Sequence, residues 1–570
     1  MNKHLCKSFV SLLLSIALLF ACPGCFSSLV EEEVTSTSSQ SSYEEPASEA
    51  GTSETKGVLS FRYTYTEEEE AALREQLREL NDMLDAGIDY EAFEKLENEA
   101  EDAYTHLSTQ ASISNLYHYL DLTDDAANEH YLFSSSLESE MGREFVLLYK
   151  RVYDSPFRDA FFADWPQDAI EEMLTLSQTY TEEVLELLDT YDRIRVDYGN
   201  LDENDPDYAD AVAALYSEQI SVLNLLGVKM GYANFYEYAY PDEYGRDYTP
   251  EEADEFRKLV KLYIPDLVGS LAADLGDKVA ALSNREINKA NGFLFDDMDK
   301  DELLTTAKGF YAMIGGDNEQ IFLDMLADER YLLYDAPKAM EGAFTMYLEE
   351  YETPIVYYGP GYHNLFTFLH ESGHYCAFVK SHEDEKLAEY RSPSNDLCEV
   401  HSQGTEWLYL SFAQRAYSEE FYAFLVEYRL YCDLVDVVIC TVVDAFEERC
   451  YRETPSPDKY DDIMMEICDD YGGYAFLSSL MSKSPLEYWR LVTIENPVYY
   501  ISYPVSLLPS IELYLHACEN RDTAVAEYLS LFGSDCIDFL PTLNKAGLQS
   551  PFEKSLFRDL ERYVEDELIA

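Results

Sequence analysis

The sequence predicts a predominantly all-α protein with a small β-hairpin beside its functional site. Three observations carry that expectation. Helix-starting signals recur along the chain, first at Thr66 with Glu69 and again at Thr249 with Pro250. Apolar residues return at helical spacing over most of the length. Strand-like runs are confined to 343–348 and 354–358, separated by E-E-Y-E-T.

Residues 1–21 read as a signal peptide of the lipoprotein type. Lys3 and Lys7 make a basic start, and the apolar run from Phe9 to Phe20 is too short to span a bilayer. It ends in L-F-A-C, so Cys22 is the expected lipidation site, with Cys25 as the alternative. Residues 22–60 are rich in Ser, Thr and Glu and too poor in apolar residues to build a core, which predicts a disordered tether. An exported, membrane-anchored monomer is the expectation.

Ordered structure is expected from Phe61. An N-terminal helical region, 61–235, has Phe145, Leu148 and Leu174 among its core positions. A turn-rich passage at 238–252 then leads into the second region, 236–570, where Thr249 caps a helix with Pro250 at its first position. The apolar stretch around Val437 to Val443 is bracketed by Asp433, Asp436 and Asp444 and reads as a buried helix. Eight cysteines lie between Cys376 and Cys536 in no zinc-finger or redox spacing, and buried free thiols are as consistent with them as disulfides.

Composition excludes one class of function. Forty basic residues against 111 acidic give a net charge of −71, a surface that repels nucleic acid.

The chemistry concentrates at 366–378, F-T-F-L-H-E-S-G-H-Y-C-A-F. On a helix, His370 and His374 lie one turn apart and can grip one Zn2+, with Glu371 beside the open position. Gly373 costs about 1 kcal/mol inside a helix, so it implies close approach by another segment. Glu399 is the candidate third ligand, in the first turn of a helix capped by Asn395 or Asp396. Gln403 and Glu406 follow it by one and two turns and are candidates to steady a ligand. His363 has two readings, a support for His370 or an exposed loop residue. His382 and His401 are expected to face solvent, and Cys376 to pack beside the metal helix.

With F-L-H-E-S-G-H at 368–374 and E-V-H-S-Q at 399–403, the chain resembles the thimet oligopeptidase and oligoendopeptidase F family of zinc metallopeptidases. G-Y-A-N-F-Y-E-Y-A-Y at 231–240, R-D-Y-T-P-E at 246–251 and G-A-F at 342–344 are similar to its oligoendopeptidase branch. The resemblance implies a multi-helical bowl with a deep channel for short unfolded peptides. It also implies a tyrosine segment closing on the substrate, here N-P-V-Y-Y-I-S-Y-P at 496–504. Tyr503 is then the oxyanion donor, with Tyr499 and Tyr500 as further substrate-binding candidates. The family's histidine before that segment is missing from 490–496.

The expected reaction is hydrolysis of short peptides by one zinc ion on His370, His374 and Glu399, with Glu371 as the base and Tyr503 at the oxyanion. Phe344, on the hairpin, is the candidate substrate contact for a peptide added as a strand. The alternatives are a zinc carboxypeptidase anchoring a terminal carboxylate on Arg391 or Lys338, and a lipid-anchored peptide-binding protein with little catalysis.

Overall fold

Thr66 accepts a hydrogen bond from the Glu69 backbone while the Glu69 carboxylate accepts from Thr66 N–H at 2.8 Å, a reciprocal pair that starts the first long helix. This is a computed structural model, describing residues 57–569 apart from 88, 164, 180, 202–204, 282–289, 291, 384–392 and 482. The signal peptide, Cys22, Cys25 and nearly all of the tether lie outside the described residues.

Helices α1 (Glu67–Ala86), α2 (Tyr90–Leu120) and α3 (Asp125–Tyr153) pack around Leu73, Leu77, Tyr104, Phe145 and Tyr149. Helices α4 (Gln167–Thr179), α5 (Glu182–Gly199) and α6 (Tyr208–Lys229) follow. Helix α7 (Pro250–Ala281) begins as the sequence predicts, with Glu252 N–H donating to Thr249 Oγ1 at 3.2 Å. Then come α8 (Lys300–Ile314), α9 (Gly316–Ala327) and a three-stranded sheet of β1 (Tyr331–Leu333), β2 (Ala343–Leu348) and β3 (Thr353–Tyr358).

The expected hairpin is present, with β2 antiparallel to β3 and Thr345 opposite Val356. The sequence reading missed β1, which runs parallel to β3 and makes the order β1-β3-β2. At three residues, β1 is too short to show an alternating pattern. Strand β2 pairs on one side only, among the described residues.

Helices α10 (Leu365–Ser381), α11 (Asn395–Ala413), α12 (Glu419–Glu453) and α15 (Ser502–Leu529) build the main core, with α13 (Tyr460–Asp470), α14 (Pro485–Val492), α16 (Phe539–Ala546) and α17 (Lys554–Tyr563) around them. Val437, Val438, Val442 and Val443 of α12 are buried, as expected of that apolar run. The eight described cysteines are all free thiols, five of them buried.

The N-terminal core contains an acidic pair. Tyr149 Oη lies 3.1 Å from Glu97 Oε1 and 2.6 Å from Glu101 Oε1, within hydrogen-bond reach of both, and neither carboxyl reaches solvent. Burial pushes Glu97 well above the ordinary glutamate range. The folded state therefore keeps a proton that the unfolded chain releases. The stabilisation is complete below the unfolded value and is lost as pH rises toward the folded one. Glu97→Gln is expected to raise Tm at about pH 8 and leave it nearly unchanged at about pH 5, by scanning calorimetry.

Candidate metal centre

Helix α10 starts at Asn364, whose side chain accepts from Thr367 N–H at 2.9 Å. Leu365, Phe366, Phe368, Leu369 and Cys376 anchor it in the core, which leaves His370 and His374 successive turns of one face. Their Nε2 atoms are 3.2 Å apart with the rings edge to face.

Helix α11 brings the third group. Its cap is Ser394, one residue before Asn395 and two before Asp396, the expected caps, and Ser394 Oγ accepts from Leu397 N–H. Glu399 falls inside the helix, with Oε2 at 3.6 Å from His370 Nε2. Gly373 explains the approach. A Cβ there would lie 2.7 Å from Thr405 Oγ1, 2.8 Å from His401 O and 2.9 Å from Ser402 Cα. The two helices touch backbone to backbone at this point, as the sequence implied.

The remaining nitrogen of His370 is committed. Nδ1 donates to Glu406 Oε1 at 2.8 Å, and Glu406 Oε2 pairs with Arg429 at 2.8 Å. Arg429 Nε reaches Asp433 at 3.0 Å, and Asp433 also accepts from Trp407 Nε1 at 2.9 Å. A carboxylate on Nδ1–H fixes the tautomer and turns the Nε2 lone pair toward His374 and Glu399. Of the two supports the sequence offered, Glu406 does this. Glu406→Ala is expected to weaken zinc binding about ten- to a hundredfold in competition with a chelator.

Glu371 is buried, and its Oε2 accepts from Thr345 Oγ1 at 2.7 Å. Burial pushes its pKa up to about 7, with Glu399 and Glu406 adding to the rise against His370 and Thr345. Burial also raises Glu399 and keeps His374 well below the usual histidine range, hence neutral.

One ligand atom from each of His370, His374 and Glu399 lies within 4.8 Å of the others. Tetrahedral zinc with bonds of about 2.0–2.1 Å holds its donors about 3.3 Å apart, which the 3.2 and 3.6 Å separations match. Two imidazole nitrogens beside a crowded set of buried carboxyls are suited to a dication. The residues fit zinc.

The other candidates fall as follows. Tyr503 opens α15, half-buried, its ring edge-on to Tyr499 at 5.4 Å and near Tyr500 at 6.0 Å. Tyr499 and Tyr500 are almost wholly buried, against Tyr244 and Tyr488 respectively, and frame Tyr503.

Phe344 needs correction as a substrate contact. Strand alternation turns it away from Glu371, into a core with Ile113, Leu116 and a stacked Tyr357. Its neighbour Thr345 faces the site instead. His401 is also buried rather than solvent-facing, since α11 is covered on all sides here. Its Nε2–H donates to Leu531 O at 2.9 Å, and burial lowers its pKa to about 4. His382 is half-buried and stacks on Tyr347 at 3.8 Å. His363 bonds Tyr358 O and is a loop residue. Cys376 packs in α10 against Tyr311.

Sequence reasoning missed Thr345 and Arg429. The alternation of A-F-T-M-Y-L identified the two faces of β2 but not which one meets the metal helix. Arg429 and Asp433 are spaced i, i+4 on α12, the only local sign of their pairing.

Residues 61–180 match the Peptidase M3 N-terminal domain family. A protein assigned as oligoendopeptidase F from Bacillus anthracis str. Ames superposes with a TM-score of 0.68 at 20% identity, over 90% of this chain and 99% of that one. PZ peptidase A, solved with an inhibitor, gives 0.67 at 19% identity over 90% and 99%. An M32 carboxypeptidase from Deinococcus radiodurans R1 gives 0.53 at 12% identity over 88% and 100%. These likenesses establish a shared helical fold. No curated protein sequence matches the chain.

Proposed function

We propose that this chain, an M3-type peptidase in its N-terminal domain and fold, is a zinc-dependent endopeptidase that hydrolyses short peptides outside the cytoplasm. The observation that carries this reading is the convergence of His370, His374 and Glu399 beside a buried Glu371. Bound by those three residues, zinc supplies Lewis acidity and lowers the pKa of water to about 7.

The chain's own residues supply the rest. Glu371 accepts a proton from the attacking water at its carboxylate and returns it to the leaving amine nitrogen. Thr345 holds that carboxylate in place through Oε2. The Tyr503 phenol O–H donates to the oxyanion that forms on the scissile carbonyl. Strand β2, with one edge unpaired among the described residues, offers backbone groups to an extended peptide, which gives affinity with little sequence preference.

The test is an internally quenched peptide blocked at both ends. An endopeptidase cleaves it in the middle. A carboxypeptidase leaves it intact and trims only the free-ended version, and a binding protein retains both uncut. The fold shared with the M32 carboxypeptidase keeps the second reading in play. Of its two candidate anchors, Lys338 instead donates to Thr123 Oγ1 at 2.7 Å, and Arg391 lies outside the described residues. Export and lipid anchoring rest on the leader sequence, and release of a Cys22→Ser chain from the membrane fraction tests them.

A further inference from the structure

The segment leading to Tyr503 contains a backbone oddity. Val498, β-branched and fully buried, has φ 65, in the left-handed region that such residues avoid. A conformation of this kind persists only where the surroundings over-determine it. Here they do. Val498 N–H donates to Glu447 Oε1 at 2.9 Å, and Tyr244 Oη donates to Pro497 O at 2.7 Å. Arg246 Nη2 lies 2.9 Å from Val498 O, 3.3 Å from Tyr499 O and 3.0 Å from Ser502 Oγ.

Arg246 is buried, its guanidinium over the rings of Tyr240 and Tyr244 at 4.7 and 4.5 Å. The three acceptors of Nη2 all belong to 498–502, the residues immediately before Tyr503. It also interacts electrostatically with Asp396, three residues before Glu399 on α11. One side chain thus spans the tyrosine segment and the helix that presents a metal ligand.

We propose that Arg246, assisted by Tyr244 and Glu447, is a positioning residue that holds the strained Val498 turn and thereby aims Tyr503 at the reacting carbonyl. The inference rests on the role given to Tyr503 above. It adds a device by which a tyrosine on a helix start is fixed without touching the metal ligands.

Arg246→Lys keeps the charge but loses the guanidinium plane that lies over Tyr240 and Tyr244, and with it the placement of the nitrogen that reaches the three acceptors. It is expected to lower kcat about ten- to a hundredfold on the quenched peptide, with KM moved less than about threefold and zinc per chain unchanged. Hydrogen exchange at amides 498–503 should quicken while α10 and α11 stay protected. Adding Val498→Gly should restore kcat to within about threefold of wild type, because glycine takes positive φ without strain and the turn no longer needs holding.

Unchanged kcat in Arg246→Lys, a parallel loss of zinc, or failure of Val498→Gly to rescue would each overturn the proposal. If wild type cleaves no peptide, the endopeptidase reading fails, and unchanged exchange at 498–503 in Arg246→Lys then overturns this one separately. Should Arg246→Lys not fold, Tyr244→Phe removes only the hydroxyl on Pro497 O and is read the same way.

Discussion

Glu371→Gln is expected to lower kcat by about 10²- to 10⁴-fold while the protein still binds one zinc per chain. The amide is nearly isosteric and can still accept from Thr345 Oγ1, so the geometry around it is kept. What it loses is the capacity to take a proton. None of the three proposed ligands is altered, so metal content by plasma mass spectrometry should match wild type. The apo protein should melt no lower, because a carboxyl crowded by Glu399 and Glu406 is replaced by a neutral group. Retention of more than about a tenth of wild-type kcat would remove Glu371 from the base role.

Gly373→Ala should damage both stability and metal binding through one methyl group. The added Cβ meets Thr405 Oγ1, His401 O and Ser402 Cα at 2.7–2.9 Å. Two of those are backbone atoms of α11, which no side-chain rotation can move aside. Two effects oppose each other. Alanine favours a helix interior by about 1 kcal/mol over glycine, while overpacking costs about 1–3 kcal/mol. Separating the helices also draws Glu399 away from His370, so the loss wins. We expect a lower Tm and zinc affinity reduced at least about tenfold. Gly269→Ala on α7 is the control. Nothing lies within 4 Å of its Cβ position, so only the propensity gain applies and Tm should rise slightly.

Much of this centre was legible in the sequence because its information is local. A four-residue spacing puts His370 and His374 on one face of any helix, and a glycine inside such a helix signals a close neighbour. Glu406, two turns beyond Glu399, follows from the same periodicity. The hairpin and the caps at Thr66 and Thr249 were readable for the same reason. What was not legible depends on packing between distant segments. Thr345 and Phe344 are adjacent in sequence with opposite roles, and only the placement of β2 between α2 and α10 decides which is which. Arg429 meets Glu406 because the fold brings a side chain of α12 to one of α11, which no spacing announces. His401 looked like a surface residue because polar side chains usually are, yet α15 and the turn after it cover that face.

The hydrogen bond from Trp407 to Asp433 has a practical consequence. The indole sits at the far end of a polar relay that begins on a proposed metal ligand, and it is shielded from water. Loading the ion polarises that relay, so the ultraviolet emission of this one indole should change in step with occupancy. With Trp165 and Trp489 converted to phenylalanine, the protein would become its own fluorescent indicator for the ion.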